Sequence, residues 1–245
     1  ELFESYGFQL YYRQLSFHLD VQKPFPDRFW KIAEWINKRE AYTYEHFDPA
    51  KTRKYVADTE AIYNQAWSEI REDFNSMNSA SLYDELRKIK SIMDPELIWY
   101  AYHNGEPIAF YMFLPDANQI FRHLNGKLHI INKLRFLNYK RMKTVNRARG
   151  TAAGVIPKFQ NSGVESGIFY QLRKVMDTKP HYKEFELSWV GDFNLKMISL
   201  YLATGASHAK THHTYRYLFD REKPYKRFME EAVNESKLPP NILKL

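Results

Sequence analysis

The sequence predicts an α/β fold in which a mixed central sheet is flanked by helices, and three observations carry that expectation. Hydrophobic periods follow one another as helix, helix, strand, strand, and then strand, helix, strand, helix, strand. Two apolar runs, 97–102 and 107–114, flank His103-Asn104-Gly105, and Asn-Gly tolerates the positive φ of a tight hairpin turn. Residues 147–155 read as a strand ending in the small-residue run Gly150 to Gly154. A polar turn with Pro157, Asn161, Ser162 and Gly163 follows, and then Val164, Ile168, Leu172 and Val175 recur at helical spacing.

The remaining elements follow the same logic. Residues 1–20 read as extended, because Phe8, Leu10, Tyr12, Leu15, Phe17 and Leu19 give partial alternation. Pro24 and Pro26 break the chain, and residues 27–39 form a helical pattern with Phe29, Ile32, Ala33 and Ile36 on one face. Residues 42–48 suit a short strand. Residues 51–70 carry Val56, Tyr63, Ala66, Trp67 and Ile70 at helical spacing, and residues 81–92 open with Ser81 and Asp84 in the spacing of a capping box. Residues 126–144 are basic and amphipathic, with Ile130, Leu134, Leu137 and Arg141 as a helical stripe. Residues 184–190 alternate Phe185, Leu187 and Trp189 against Glu184, Glu186 and Ser188. Residues 194–204 are an apolar helix stopped by Gly205, and residues 208–219 supply one or two closing strands.

Hydrophobic residues at 44% and aromatic residues at 16% support a sizeable core. The absence of cysteine excludes a disulfide framework, thiolate zinc sites and a cysteine nucleophile, and fits a cytoplasmic setting. No metal site is expected. No apolar run approaches the ~18 residues of a membrane span, and no signal-peptide pattern opens the chain. Glu1 stands where a Met is usual, which suggests that an upstream segment has been removed. The net charge of +7 is unevenly spread. Between Asp116 and Glu165 there is no acidic residue, but there are Arg122, Lys127, Lys133, Arg135, Lys140, Arg141, Lys143, Arg147, Arg149 and Lys158; with these ten positive charges set aside, the rest is net −3. Such a segment suits phosphates, whether on a nucleotide cofactor, a nucleic acid or an anionic lipid, or forms a plain solvated face.

A strand, a polar loop and a helix start are also how a backbone offers several N–H groups to an anion at the positive end of a helix. An ordinary strand–helix connection has the same spacing. At this point the chain resembles the GCN5-related N-acetyltransferases (GNAT), a superfamily of acyl-CoA-dependent N-acyltransferases. That family's central signature is Gln or Arg, two residues, Gly, one residue, then Gly or Ala, opening a helix after a strand; Gln160-Asn161-Ser162-Gly163-Val164-Glu165 supplies its first two elements. A second signature has Asn opening a later helix, Tyr seven residues on and Gly four further, and Asn194, Tyr201 and Gly205 match all three. The resemblance covers roughly residues 50–220 and implies a mainly antiparallel sheet. The opening stretch Leu2 to Phe8 resembles the end of the second signature, with Phe3 where the Tyr would stand. On that reading residues 1–20 are a strand-bearing remnant of an upstream copy, 21–50 a connecting helix and linker, and 51–245 a GNAT-like domain.

The resemblance implies that the backbone of Asn161, Ser162, Gly163, Val164 and Glu165 holds the pyrophosphate of acetyl-CoA or another acyl-CoA, the substrate that serves as cofactor. Val155 and Ile156 would bond the pantetheine arm and polarise the thioester carbonyl. Tyr201 would be the general acid for the departing thiolate, and Asn194 a helix cap or a ligand near the sulfur; Tyr201 as a packed aromatic remains the plain alternative. A general base is not evident, with Glu186, His212 and His213 as candidates. The acceptor would be a small-molecule or peptide amine. Glu165 departs from the signature. Pointing away, it favours the helix start; pointing inward, it repels pyrophosphate. The second departure is the basic stretch 126–144, which could cover an acceptor pocket, grip a carrier or tRNA, or lie on a membrane. A catalytically silent binding module and an aminoacyl-tRNA-dependent tandem transferase are the alternatives.

Overall fold

The computed structural model describes residues 2–67, 76–127 and 129–230. In chain order these form α1 (Leu2–Ser5), β1 (Gln9–Asp20), α2 (Asp27–Asn37), β2 (Tyr42–His46), α3 (Thr52–Trp67), α4 (Ser79–Ile89), β3 (Ile98–His103), β4 (Glu106–Pro115), α5 (Asn118–Phe121), α6 (Ile130–Arg141), β5 (Arg147–Val155), α7 (Val164–Thr178), β6 (Glu184–Gly191), α8 (Leu195–Ala203) and β7 (Ser207–Arg216). The strands make one seven-stranded sheet in the order β2-β3-β4-β5-β6-β1-β7. It is mostly antiparallel, with β5 and β6 running parallel. The fold class is the expected one. By contacts the chain divides into a unit of residues 19–186 and a unit of residues 1–18 and 187–245.

In the larger unit the hairpin turn forms as its residues require, with Asn104 at φ 50 and Gly105 at φ 85. The run Pro107 to Leu114 is apolar throughout because β4 is covered on both faces. Phe110 joins Phe47, Tyr55, Ile62, Ile98, Tyr100 and Tyr102 in one buried cluster. Tyr111 and Phe113 instead meet Phe169 of α7, at centroid distances of 5.8 and 6.2 Å. Phe25 and Phe29 close on the same ring, which joins the α2 segment to α7.

Three details differ from the sequence reading. The cap of α4 is Asn78, whose side chain accepts the Ser81 N–H at 2.9 Å, so Ser81 is not the capping residue; Asn ranks with Ser as a cap and lies one helical turn earlier. Residues 1–20 are not wholly extended, since α1 precedes β1. The alternation in β6 breaks, with Glu186 buried beside Phe185 and Leu187 while Trp189 is 54% exposed. Charge pairing overrides hydrophobicity at Glu186, and Trp189 finds a surface partner in Tyr12. Ile70, the expected end of the helix in 51–70, and residues 231–245 of the expected domain lie outside the described residues.

A close approach fixes the inner side of α7. The Tyr44 hydroxyl of β2 is buried without a hydrogen-bond partner among the described residues, and a Cβ at Gly167 would stand 2.0 Å from it. Gly167 is the second-turn position that lets this ring in. Gly167→Ala will therefore displace Tyr44 and lower stability by about 1–3 kcal/mol. Combined with Tyr44→Ala it will cost less than the sum of the two, as a double-mutant cycle in urea measures.

Beside the start of β5 lies a cavity of about 370 Å³, with Asp94, Lys179, His181 and Tyr182 among its lining residues. Lys179 donates to Asp94 at 2.6 and 2.8 Å, and the Tyr182 hydroxyl donates to it at 3.1 Å. The His181 ring packs on Tyr182 with its Nδ1 buried and without a hydrogen-bond partner among the described residues. Burial and the Lys143 charge hold its imidazole below the ordinary range, against the opposing pull of Asp94. A depressed folded-state value means that the unfolded chain binds the proton more readily, so His181's contribution falls as pH drops through the unfolded value of about 6.5. Thermal midpoints recorded between pH 8 and pH 5, on the order of the physiological range, will fall less steeply in His181→Asn.

Candidate functional site

The candidate site grows from β5. Its register with β4 reaches Val155, whereas its register with β6 covers Arg147, Ala148 and Arg149. Past that point Thr151 and Ala152 are exposed although the strand is central in the sheet. The start of β5 is held by charge. Arg147 Nε donates to Glu184 at 2.6 Å, and its guanidinium lies 3.7 Å from Asp116 and 3.9 Å from Glu186. Arg149 lies 3.2 Å from Glu186. Asp116 and Glu186 are buried, so removing either arginine leaves desolvated carboxylates short of counter-charge. Glu186, weighed from sequence as a base, is thus engaged by both arginines.

From the end of β5 the chain turns sharply. Ile156 N–H donates to Ile108 at 3.0 Å, and Pro157 to Phe159 form one 3-10 turn. The Gln160 side chain reaches back to the Val155 carbonyl at 3.3 Å, and Ser162 Oγ donates to the Phe159 carbonyl at 2.6 Å. Asn161 at φ 66 and Gly163 at φ 86 are both left-handed. Left-handed residues within a turn point successive N–H groups into one concavity. Gly163 is the N-cap of α7 and offers no side chain to cap it, so first-turn N–H groups are left for an outside acceptor. Val164 is buried beneath them, and Glu165 is half-buried in the first turn, where the dipole favours negative charge. Glu165 is felt on the sheet side: burial chiefly, with Tyr42 and Glu165 adding, pushes the Tyr44 phenol up.

Helix α2 backs this loop. The Ile32 side chain lies 3.6 Å from the place a Gly163 Cβ would occupy. Asn37 Nδ2 donates to the Gly167 carbonyl at 3.3 Å, and Gln171 donates to Asn37 at 2.5 Å. Tyr44, Gly167 and Asn37 were not singled out from sequence. A glycine inside a helical pattern marks a close approach and was the available signal for Gly167.

The two remaining predicted residues belong to the smaller unit. Asn194 caps α8, its side chain accepting the Met197 N–H at 3.1 Å. Tyr201 is 7% exposed and meets Phe17 edge-on at 5.6 Å. Burial pushes its phenol up, so the proton stays in place at neutral pH. After it, Gly205 N–H bonds Leu202 and Ala206 N–H bonds the Tyr201 carbonyl, with Gly205 at φ 87. The start of the chain repeats this ending: Gly7 N–H bonds Glu4, Phe8 N–H bonds Phe3, and Gly7 is at φ 90. Phe3 takes the place of Tyr201, and the strands after these two endings, β1 and β7, pair antiparallel. His212 and His213 lie on β7, exposed. The structure thus gathers residues 155–165 in one loop and Asn194 and Tyr201 on one helix.

No protein-family model matches the chain. A bacterial ceramide synthase from Caulobacter vibrioides (strain NA1000 / CB15N) is 28% identical over 171 residues, which cover 69% of this chain and 44% of that protein. Among solved structures, a GCN5-related N-acetyltransferase from Sphaerobacter thermophilus has a TM-score of 0.57 at 14% identity, covering 87% of this chain and 54% of the other. A tandem GNAT protein from the clavulanic acid biosynthesis pathway has a TM-score of 0.53 at 12% identity, covering 87% and 56%. This chain therefore spans about half the length of each of these three proteins. With this strand order, this loop between β5 and α7, and these likenesses, the chain has the fold of the GCN5-related N-acetyltransferases.

Proposed function

We propose that this chain is the acyl-transferring part of an N-acyltransferase that takes its acyl group from acyl-CoA and delivers it to an amine. The observation that carries the reading is β5: a central strand in which Thr151 and Ala152 are exposed and Gly154 and Val155 buried again, leading into a loop with two left-handed residues and a helix start without a side-chain cap. The exposed Thr151 and Ala152 of β5 would meet an extended amide-bearing arm such as pantetheine along the strand backbone. The loop of Gln160 to Glu165 suits the pyrophosphate, with the α7 N–H groups as donors. Val155 and Ile156 lie where that strand ends and would face the thioester.

The reaction requires no enzyme nucleophile. The amine nitrogen attacks the thioester carbonyl, the carbonyl oxygen gathers charge against backbone donors, and the carbon–sulfur bond breaks. The thiolate takes a proton, in this reading from Tyr201, the amine gives one up to solvent, and solvent returns one to Tyr201; the products are an amide and free coenzyme A. A protonated Tyr201 suits the role, and Asn194 orients the start of its helix. The acceptor is inferred from the ceramide synthase likeness: a long-chain amine of the sphingoid type, with a fatty acyl donor. The repeated helix ending at Gly7 and Gly205 supports a tandem origin in which residues 1–20 close an upstream copy.

Release of free thiol from long-chain acyl-CoA in the presence of a sphingoid base tests the function, and acetyl-CoA is the comparison donor. Thiol release that depends on the amine is expected; absence of both turnover and calorimetric binding of acyl-CoA would identify a silent module instead. Gly163→Trp is expected to weaken acyl-CoA binding by at least about tenfold, since a side chain at φ 86 is strained and presses on Ile32, which displaces the loop. Tyr201→Phe keeps the ring on Phe17 and is expected to lower kcat by roughly 10²-fold with little change in KM. An unchanged kcat would leave Tyr201 as packing alone.

A further inference from the structure

Helix α6 belongs to the larger unit and is turned the opposite way from an ordinary surface helix. Ile130, Ile131, Leu134 and Leu137 are 75%, 57%, 63% and 55% exposed. At about 100° per residue these four fall within an arc of roughly 120° on one side of the helix. The other side carries Asn132 and Phe136, both buried. Asn132 Nδ2 donates to the carbonyls of Leu124 and Lys127 at 2.9 and 2.8 Å, and Phe136 packs with Ile120, Leu124 and Val145. The apolar stripe is therefore outward by construction, because the polar amide is the anchored side.

The charges around the stripe all have one sign. Lys133 borders it on one flank and Arg135 on the other, Arg141 ends it, and the exposed Met142 and Lys143 come next, while Lys140 donates to the Ser91 carbonyl at 2.6 Å. No acidic residue occurs between Asp116 and Glu165 to interrupt this field. We infer that α6 docks this chain onto an anionic phospholipid surface. The aliphatic side chains enter the boundary between headgroups and acyl chains, while lysine and arginine stems run alongside them and place their cations among lipid phosphates. With 12 residues the helix lies in the plane of the surface, being well short of the ~20 needed to span it. Among the described residues no helix is long and apolar enough to cross a membrane.

The same pattern weighs against other occupants. A second copy meeting this face across a two-fold axis would bring like-charged flanks together. Nucleic acid would engage the cations but leave four aliphatic side chains with no stacking role, since single-strand platforms are aromatic. The inference rests on α6 and not on the reading of the β5 loop.

Cosedimentation of the chain with vesicles of phosphatidylcholine, with and without roughly a third phosphatidylglycerol, tests it. Binding to the anionic vesicles is expected, weakened by salt. Leu134→Ser with Leu137→Ser should lower the partition coefficient roughly tenfold at an unchanged thermal midpoint, because both side chains are exposed. Lys133→Glu with Arg141→Glu should abolish the preference for anionic lipid. No binding at low salt, or equal binding by the chain and both variants, would overturn the inference. So would a stripe substitution that changes the sedimentation-equilibrium mass, or RNA binding that the charge reversal removes while lipid binding persists. Loss of acyl transfer in solution is not a readout here, so the two proposals fail separately.

Discussion

The structure turns on the charged knot at the start of β5. Arg147 and Arg149 stand among Asp116, Glu184 and Glu186, and two of those carboxylates are buried. Buried charges are tolerable only when counter-charges lie close, and here the pairing joins Asp116, just past β4, with β5 and the first residues of β6. Apolar packing resumes immediately above, with Phe113 stacked on Phe185 at 4.8 Å. Past Arg149 its residues are small, and Thr151 and Ala152 are exposed.

Between β5 and α7, backbone conformation governs the chain more than side chains do. The loop uses two left-handed residues and spends its own polar groups, Gln160 and Ser162, on carbonyls of the same turn. The side chains thus shape the turn and leave N–H groups of α7 to whatever binds. Glu165 stands at the edge of this arrangement. Its charge bears on Tyr44, on the sheet side of the helix, and it sits in a turn that favours a carboxylate.

Much of this was legible in the sequence because it depends on local rules. Asn104-Gly105 specified its hairpin, Gly205 its helix end, and the period from Val164 to Val175 its helix, each through conformational preferences of neighbouring residues. The spacing of Asn194, Tyr201 and Gly205 and the glycine of the loop pointed to the fold that the sheet order and the structural likenesses show. The sequence was least informative where long-range packing decides. Glu186 looks solvent-facing by alternation, yet Arg149 is brought to it from another strand. Tyr44 and Gly167 lie far apart in the chain and meet only through the packing of β2 against α7. The stripe on α6 was visible as a period, but nothing local says which side of a helix faces inward.

That side is decided by Asn132, whose amide bonds to Leu124 and Lys127 hold α6 to the preceding turn. The outward residues consequently contribute little to the fold. Their identities can vary without disturbing the sheet or the loop between β5 and α7. Surface chemistry on α6 is thereby separable from the rest of the domain: Asn132, Phe136, Tyr139 and Lys140 carry its attachment, and the opposite face is left as a replaceable label.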